Sequence, residues 1–287
     1  MKTGTLYIVA TPIGNLGDVT TRAVEVLSKV DFVAAENMSR TRTLLRHLGL
    51  SKPLVSYREE NRKRSARDIV DRLLGGQSGA VVTDAGTPGI SDPGHYLVQV
   101  CLEDGLPVVP IPGVSALTAV LSASGLPVRG FVFEGFLPAK SAARVERLKE
   151  LAVIGYPLMF YESPRRIRAA LTDILDTLGD RDVVLAREVT KVHEEFTRGT
   201  VSHVLDRIEG REIKGEVTVL VGGGSAPAEP PEVNDAVSAL RSEGLSASRI
   251  ARILADLTGI NRREIYRLAA QTPSAKEKVE KKGGKGV

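Results

Sequence analysis

The 287-residue sequence has one cysteine, Cys101, which excludes an intrachain disulfide and a thiolate zinc cluster. Its four histidines, His47, His95, His193 and His203, are scattered without metal-ligand spacing, so no metal is expected. No apolar run approaches the roughly 18 residues of a membrane span. Met1-Lys2-Thr3-Gly4 leads straight into a strand-like segment, Thr5 to Thr11, with no secretory-signal pattern, and a cytoplasmic protein without a membrane partner is expected. Neither a Gly-x-Gly-x-x-Gly turn nor a Gly-x-x-x-x-Gly-Lys-Ser/Thr loop occurs, which removes the dinucleotide and P-loop fingerprints. Cys101 lies in a helical pattern with Tyr96, Leu97, Val100 and Leu102, and reads as a buried structural thiol ahead of a nucleophile.

With 42% hydrophobic and 26% charged residues, the chain can bury a core and stay globular. The net charge of +4 is compatible with a polyanionic partner without requiring one. Its distribution says more. Arg58, Arg62, Lys63, Arg64 and Arg67 cluster, as do Arg165, Arg166 and Arg168, then Arg262, Arg263 and Arg267, and last the lysines near the C-terminus. One such cluster is explained by a solvated helix face; four together favour a nucleic-acid surface.

The first half alternates strands and helices. Leu6–Ala10, Phe32–Ala35, Ala80–Val82 and Val108–Ile111 read as strands. Helices are predicted over Asp18 to Ser28, around Leu44, Leu45 and Leu48 with Gly49 as the stop, over Ser65 to Leu74 and over Pro93 to Glu103. This alternation implies a largely parallel sheet covered on both faces. A small-residue helix, Ser115 to Ser124, leads to a second α/β part with strands at 131–136, 157–161, 183–186 and 217–221 and helices near 141–153, 164–178 and 200–209. The expected division is 1–113 and 114–223 for two α/β domains, 224–233 for a linker, 234–272 for a helical unit and 273–287 for a basic disordered tail. In the helical unit Ser246 caps a helix bearing Ile250, Ile253, Leu254 and Leu257, and Thr258-Gly259-Ile260 turns the chain. Asn261, with Glu264 three residues on, starts a last helix that carries Ile265 and Leu268. That is helix-turn-helix spacing, and it reads equally as a nucleic-acid contact or as a helical cap with a solvated basic face.

Several loops carry more glycine, proline and charge than a plain core needs. Thr11-Pro12-Ile13-Gly14-Asn15-Leu16 follows the first strand, where glycine lets the backbone approach a ligand. Thr83-Asp84-Ala85-Gly86-Thr87-Pro88-Gly89-Ile90-Ser91-Asp92-Pro93-Gly94 follows another strand and reads as a ligand site in preference to a long turn. In Pro112-Gly113-Val114-Ser115-Ala116, Ser115 is either an N-cap or part of a turn offering backbone groups to a ligand. Phe160-Tyr161-Glu162-Ser163-Pro164-Arg165-Arg166 ends a strand and starts a helix. The charge-dense segments Ala186 to Lys191, Glu194 to Thr200 and Lys214-Gly215-Glu216 are equally an ion-pair network or functional. Composition and spacing reach a two-part α/β protein with a small-molecule cleft and a basic rim, and no further.

These motifs, with Glu134-Gly135-Phe136-Leu137-Pro138 and Lys140, resemble in order those of ribosomal RNA small subunit methyltransferase I, a branch of the tetrapyrrole-methylase-like superfamily. The match runs over about residues 4–223, and the C-terminal unit resembles that family's helix-turn-helix appendage. The resemblance implies a two-domain class III methyltransferase fold with a C-terminal helix-turn-helix-like unit. It implies a homodimer that binds S-adenosyl-L-methionine and 2′-O-methylates a decoding-centre cytidine of 16S rRNA in the small ribosomal subunit. By position it assigns the cofactor site to Pro12, Gly14, Asp84, Gly86, Pro88, Gly89, Ile90, Ser115, Ala116 and Tyr161. Candidates for assisting the ribose hydroxyl are Glu36, Lys140, Glu188 and Lys191, each as a carboxylate or a neutral lysine, with Arg187 orienting a phosphate. Two segments depart from the family pattern: Glu36-Asn37-Met38-Ser39 replaces Glu-Asp-Thr-Arg, and Arg58-Glu59-Glu60-Asn61 replaces His-Glu-His-Asn. The rival readings are a tetrapyrrole-type small-molecule methyltransferase, a non-catalytic RNA-binding ribosome-assembly factor and, on the C-terminal unit alone, a DNA-binding regulator.

Overall fold

The computed structural model describes residues 2–224 and 231–273. By their contacts the described residues fall into two units, a larger one of residues 2–152 and 156–224 and a smaller one of residues 153–155 and 231–273. Among the described residues no helix is long and apolar enough to cross a membrane.

The larger unit begins with strands β1 (Leu6–Val9), β2 (Phe32–Ala35), β3 (Leu54–Ser56), β4 (Gly79–Val82) and β5 (Val108–Ile111). They form one sheet in the order β3-β2-β4-β1-β5, with parallel pairing throughout. Helices α1 (Thr21–Lys29), α2 (Met38–His47), α3 (Arg62–Leu74) and α4 (His95–Glu103) connect the strands. The period of two along each strand sends alternate residues to opposite faces. Phe32 and Ala34 join Ile69, Leu73 and Leu97 under α3 and α4, while Val33 and Ala35 join Ala23, Leu27 and Leu45 under α1 and α2. Both faces are therefore apolar, as a parallel sheet requires.

Helix α4 opens on Gly94, which supplies no side-chain cap. One of its orphan N–H groups, Leu97 N, instead donates to the buried Tyr57 hydroxyl at 3.1 Å. Tyr57→Phe deletes that acceptor and leaves a buried donor unpaired, so chemical denaturation should register a loss of about 1–2 kcal/mol.

After α5 (Ala116–Ala123) come β6 (Val132–Phe136), α6 (Ser141–Ala152), β7 (Leu158–Glu162), α7 (Ile167–Leu178), β8 (Asp182–Arg187), β9 (Glu195–Thr200), α8 (Val201–Arg207) and β10 (Val217–Val221). The second sheet runs β6-β7-β10-β8-β9; β6 pairs parallel with β7, and the remaining pairs are antiparallel. One face buries Leu148, Leu171 and Val204 from α6, α7 and α8. The opposite face, through Met159, Val184, Ala186 and Leu220, meets Val120 of α5 and Ile13 from the first loop. That cluster joins the two halves.

One helix start and two strands depart from the pattern-based reading in ways that have a local cause. The expected helix from Asp18 begins at Thr21, because Leu16–Asp18 forms a 3-10 turn and the Thr20 side chain accepts from Ala23 N as the cap. Strands β3 and β9 were not foreseen. Both are sheet edges, and Glu195–Thr200 carries charge with no strict apolar alternation, as an edge strand can.

In the second unit α9 (Pro231–Ser242), α10 (Ala247–Thr258) and α11 (Arg262–Gln271) enclose Val237, Ile250, Leu254 and Ile265. Ser246 accepts from Arg249 N, Gly259 ends α10 in the left-handed conformation and Asn261 accepts from Arg263 N. Arg262, Arg263 and Arg267 are exposed along α11. Of the expected linker at 224–233, residues 225–230 lie outside the described residues, and Pro231 already starts α9, proline being suited to a first helical position. The expected basic tail lies outside the described residues from 274 onward.

Candidate active site

Parallel strands β1, β4 and β5 deliver their loops to one edge of the first sheet, the edge where ligands bind in α/β folds. Strand β10 is antiparallel to β7 and β8, so the segment preceding it meets the loops that follow them. Sequence-distant motifs are thereby locked together. Thr11 and Gly86 exchange backbone hydrogen bonds at 2.8 and 3.0 Å, with Gly86 at φ 76°. Glu188 N donates to Glu216 O at 2.9 Å, and Glu216 N donates to Glu188 Oε1 at 2.9 Å. The first loop also lies against the Lys191 side chain: a Cβ on Gly14 would come within 2.2 Å of Lys191 Cγ. Three non-glycine residues in these loops hold positive φ: Ser91 (60°), Glu188 (52°) and Thr190 (68°), and such strain concentrates at functional sites.

Between the loops lies a cleft of about 390 Å³. Asp84, Gly86, Ile90, Ser115, Ala116 and Tyr161, all assigned to the cofactor by the resemblance, line it. Pro12 lines a neighbouring recess of about 250 Å³ that shares Arg40 and Asp84 with the cleft. Pro88 is buried and Gly89 exposed, and neither contributes to the cleft wall. The wall is apolar at Ile13, Ala85, Val189 and Val217, and aromatic where Tyr161 packs edge-on to Phe133 (5.2 Å) and tilted to Phe136 (5.7 Å).

The polar part of the wall is acidic. Asp84, Asp92, Glu162 and Glu216 line it, and Glu36 is close, its Oε2 accepting from Asp84 N at 3.2 Å. Burial, then the charges of Glu36, Asp84 and Glu216, push the Asp92 carboxyl up to about 6. Burial, with the charges of Asp92 and Glu216, pushes the Tyr161 phenol up to about 12, so it stays protonated. Arg40 pairs with Asp84 Oδ2 at 2.9 Å, while Asp84 Oδ1 is buried with no hydrogen-bond partner among the described residues. Glu162 Oε2 is likewise buried and unpartnered.

The proposed catalytic set divides. Lys191 Nζ bridges Glu188 Oε1 (2.8 Å) and Glu216 Oε2 (3.2 Å). Burial acts to raise the Glu188 carboxyl, but hydrogen bonds from Lys191 and Glu216 N and the nearby cations outweigh it and hold it below its ordinary value. Burial acts to lower Lys191, and its two carboxylate partners outweigh that and raise it. Lys191 is thus an ammonium, a donor and not a base. Arg187 is engaged by Glu195 Oε2 (3.0 Å) and by Lys214 O (3.4 Å) instead of standing free. Lys140 is exposed and not part of the cleft wall. The two departing segments meet at Glu36, whose carbonyl accepts from Arg58 Nε at 2.9 Å; Asn37 caps α2 through Ser39 N and Arg40 N. Asp92, Glu162, Glu216 and Phe136 are cleft residues that motif reading quoted without giving them a role. A carboxylate inside a charged motif looks the same in sequence whether it is paired or waiting for a ligand. Among the described residues no group of His, Cys, Asp and Glu has the arrangement to hold a metal ion. Cys101 is fully buried in α4, and burial pushes its thiol up to about 11, which suits packing and not nucleophilic attack.

Two sheets joined through α5, with a cleft fed by loops from both, define a methyltransferase of the tetrapyrrole (corrin/porphyrin) methylase class, whose family model matches residues 5–205. Solved structures of similar fold include a cobalt precorrin-4 methyltransferase of cobalamin biosynthesis (18% identity, TM-score 0.58, covering 76% of this chain and 94% of that one). Another is the uroporphyrin-III C-methyltransferase of Thermus thermophilus complexed with S-adenosyl homocysteine (19% identity, TM-score 0.54, 76% and 97%). Similar curated proteins named ribosomal RNA small subunit methyltransferase I come from Synechocystis sp. (43% identity over 273 residues, 93% of this chain and 98% of that protein) and Vibrio cholerae (43% over 267 residues, 91% and 93%). The chain belongs to the ribosomal RNA small subunit methyltransferase I family.

Proposed function

We propose that the protein uses S-adenosylmethionine to 2′-O-methylate the ribose of a cytidine in the decoding region of 16S rRNA, acting as a cytoplasmic homodimer on the small ribosomal subunit. The observation that carries the reading is the cleft on which loops from both sheets converge, with apolar walls, four carboxylates and two buried acceptor oxygens, Asp84 Oδ1 and Glu162 Oε2, that lack donors among the described residues. This fits a group that combines a flat base, ribose hydroxyls and a cationic end. The relatives' shared name supports ribosomal RNA as the acceptor.

When bound, the cofactor supplies an activated methyl group carried on a positively charged sulfonium. The chain's own residues position and polarise. Asp84, Asp92 and Glu216 set a negative field suited to a cation. Glu188, ionised and fixed by Lys191 and the Glu216 amide, orients the loops around the cleft more than it abstracts a proton. Glu36, tied to the Asp84 amide, holds that loop against α2. Arg58, Lys63, Arg64 and Arg67, all exposed, offer contacts to phosphates, as do Arg262, Arg263 and Arg267 of the helical unit.

The test is incubation of purified protein and cofactor with unmodified small subunits, then digestion and mass spectrometry for 2′-O-methylcytidine. Its appearance supports the reading; a methylated base, or methylation only of a tetrapyrrole, overturns it. Cofactor binding without any transfer to RNA would turn the reading towards an assembly factor. In the same assay Lys191→Ala, which removes the ammonium bridging the Glu188 and Glu216 carboxylates, is expected to lower turnover about 10²-fold by misplacing the loops. Near-normal turnover by Lys191→Ala and Glu188→Gln alike would remove both from the mechanism.

A further inference from the structure

The wall of the cleft holds a carboxylate whose hydrogen bonding is half complete. Glu162 is the last residue of β7, in register with Val217 of β10, and its side chain is 0% exposed. Oε1 is fully used: it accepts from Arg166 Nη2 at 2.5 Å and from Ser163 N at 2.6 Å. Oε2 is buried and accepts from nothing among the described residues, although the residue lines the cleft. Buried carboxylate oxygens are almost always paired, and an orphan calls for a donor from elsewhere.

The charge balance narrows which donor it is. The Arg166 guanidinium already compensates Glu162, so a second cation gains little there, and a neutral N–H completes the set. Asp92, by contrast, makes no ion pair among the described residues, sits among Glu36, Asp84 and Glu216 with Tyr161 and the Thr83 hydroxyl beside it, and is the carboxylate best placed to welcome a cation. Tyr161 and Phe136, inclined to one another, supply aromatic surface suited to a purine ring.

We propose that Glu162 is a cofactor-recognition residue whose Oε2 accepts an N–H from the exocyclic amino group of the cofactor's base. The proposal rests on the cofactor reading above and is independent of the RNA acceptor. It makes Glu162 the residue that distinguishes a 6-amino purine from a 6-oxo one, because an oxygen at that position would face the carboxylate with no proton to share.

Isothermal calorimetry with S-adenosylhomocysteine and S-inosylhomocysteine tests it without turnover. The wild-type protein should bind the inosyl compound about 10–100-fold more weakly. Glu162→Gln must turn an amide N–H towards either Arg166 or the ligand's amino group, so it should lose about tenfold or more on the adenosyl ligand and reduce the discrimination to within about threefold. Equal binding of both ligands by the wild type overturns the proposal whether or not Glu162→Gln folds. An undiminished preference in Glu162→Gln, with thermal unfolding like the wild type, overturns it as well. So does a Glu162→Gln loss that disappears with methylthioadenosine, since the contact would then be to the amino-acid ammonium. If neither ligand binds the wild type, the cofactor reading itself fails, a result distinct from binding without discrimination.

Discussion

Replacing Arg144 with methionine is expected to remove about 3–5 kcal/mol of unfolding free energy, enough to threaten a domain of ordinary stability. Arg144 lies on α6, 2% exposed, where α6 packs against α7. Its Nε and Nη2 bind Asp173 Oδ2 at 2.7 and 2.6 Å, and its Nη1 donates to Pro138 O and Ala139 O at 3.2 Å each. Methionine keeps the apolar stem and fills similar space, so the loss is electrostatic: among the described residues Asp173 retains only the Ser141 hydroxyl, and two carbonyls lose their donor. Arg144→Met with Asp173→Leu removes the stranded charge and should recover most of the loss. Urea unfolding of both variants decides the matter; a penalty under about 1 kcal/mol for Arg144→Met would show that Asp173 is solvated well enough alone. The consequence reaches the cleft, because Pro138 and Ala139 directly follow Phe136 and Leu137, and Phe136 forms part of the wall.

Asp92→Asn should do the opposite to stability and harm binding. Burial and three neighbouring carboxylates push Asp92 from 3.8 to about 6, so the folded protein disfavours its ionised form. Below pH 3.8 the carboxyl is protonated in both folded and unfolded chains and the substitution is neutral. Between 3.8 and 6 the unfolded chain ionises first, and a penalty on the fold accumulates. Above 6 the penalty is complete, and Asp92→Asn relieves it, by about 1–2 kcal/mol at pH 7 once solvent screening is allowed for. A gain that grew as pH fell would contradict this account. For the cationic cofactor the sign reverses. Wild-type affinity should rise with pH up to about 6 and then level off, with proton release on binding below that pH, whereas Asp92→Asn should bind about tenfold more weakly and without that dependence. Calorimetry in buffers of different ionisation enthalpy reads the proton directly.

Much of the architecture was open to pattern reading. The apolar runs Leu6–Val9, Phe32–Ala35 and Val217–Val221 are buried on both sides, and continuous apolar composition announces that. Ser246, Gly259 and Asn261 cap their helices as their side chains dictate. The edge strands β3 and β9 were not legible, because an edge needs neither apolar alternation nor length. The site was legible to the level of loops. That Asp84, Gly86, Ile90, Ser115, Ala116 and Tyr161 share a cleft follows motif order, while the positions of Pro12 beside a separate recess and of Lys140 in solvent do not.

The sequence by itself determined the order of elements, the glycine and proline turns after β1, β4 and β5, the family, and which loops carry chemistry. Those are properties of short stretches, written in side-chain volume, backbone freedom and periodicity. Only the tertiary structure decided the state of each charged group. Lys191 is an ammonium because Glu188 and Glu216 meet it, Arg187 is spent on Glu195, the Asp92 carboxyl is pushed up to about 6 by burial and by Glu36, Asp84 and Glu216, and Glu162 is left with one oxygen to offer. A charge's energy is set by its desolvation and its neighbours within a few ångströms, and in this fold those neighbours are 3 to more than 100 residues away along the chain.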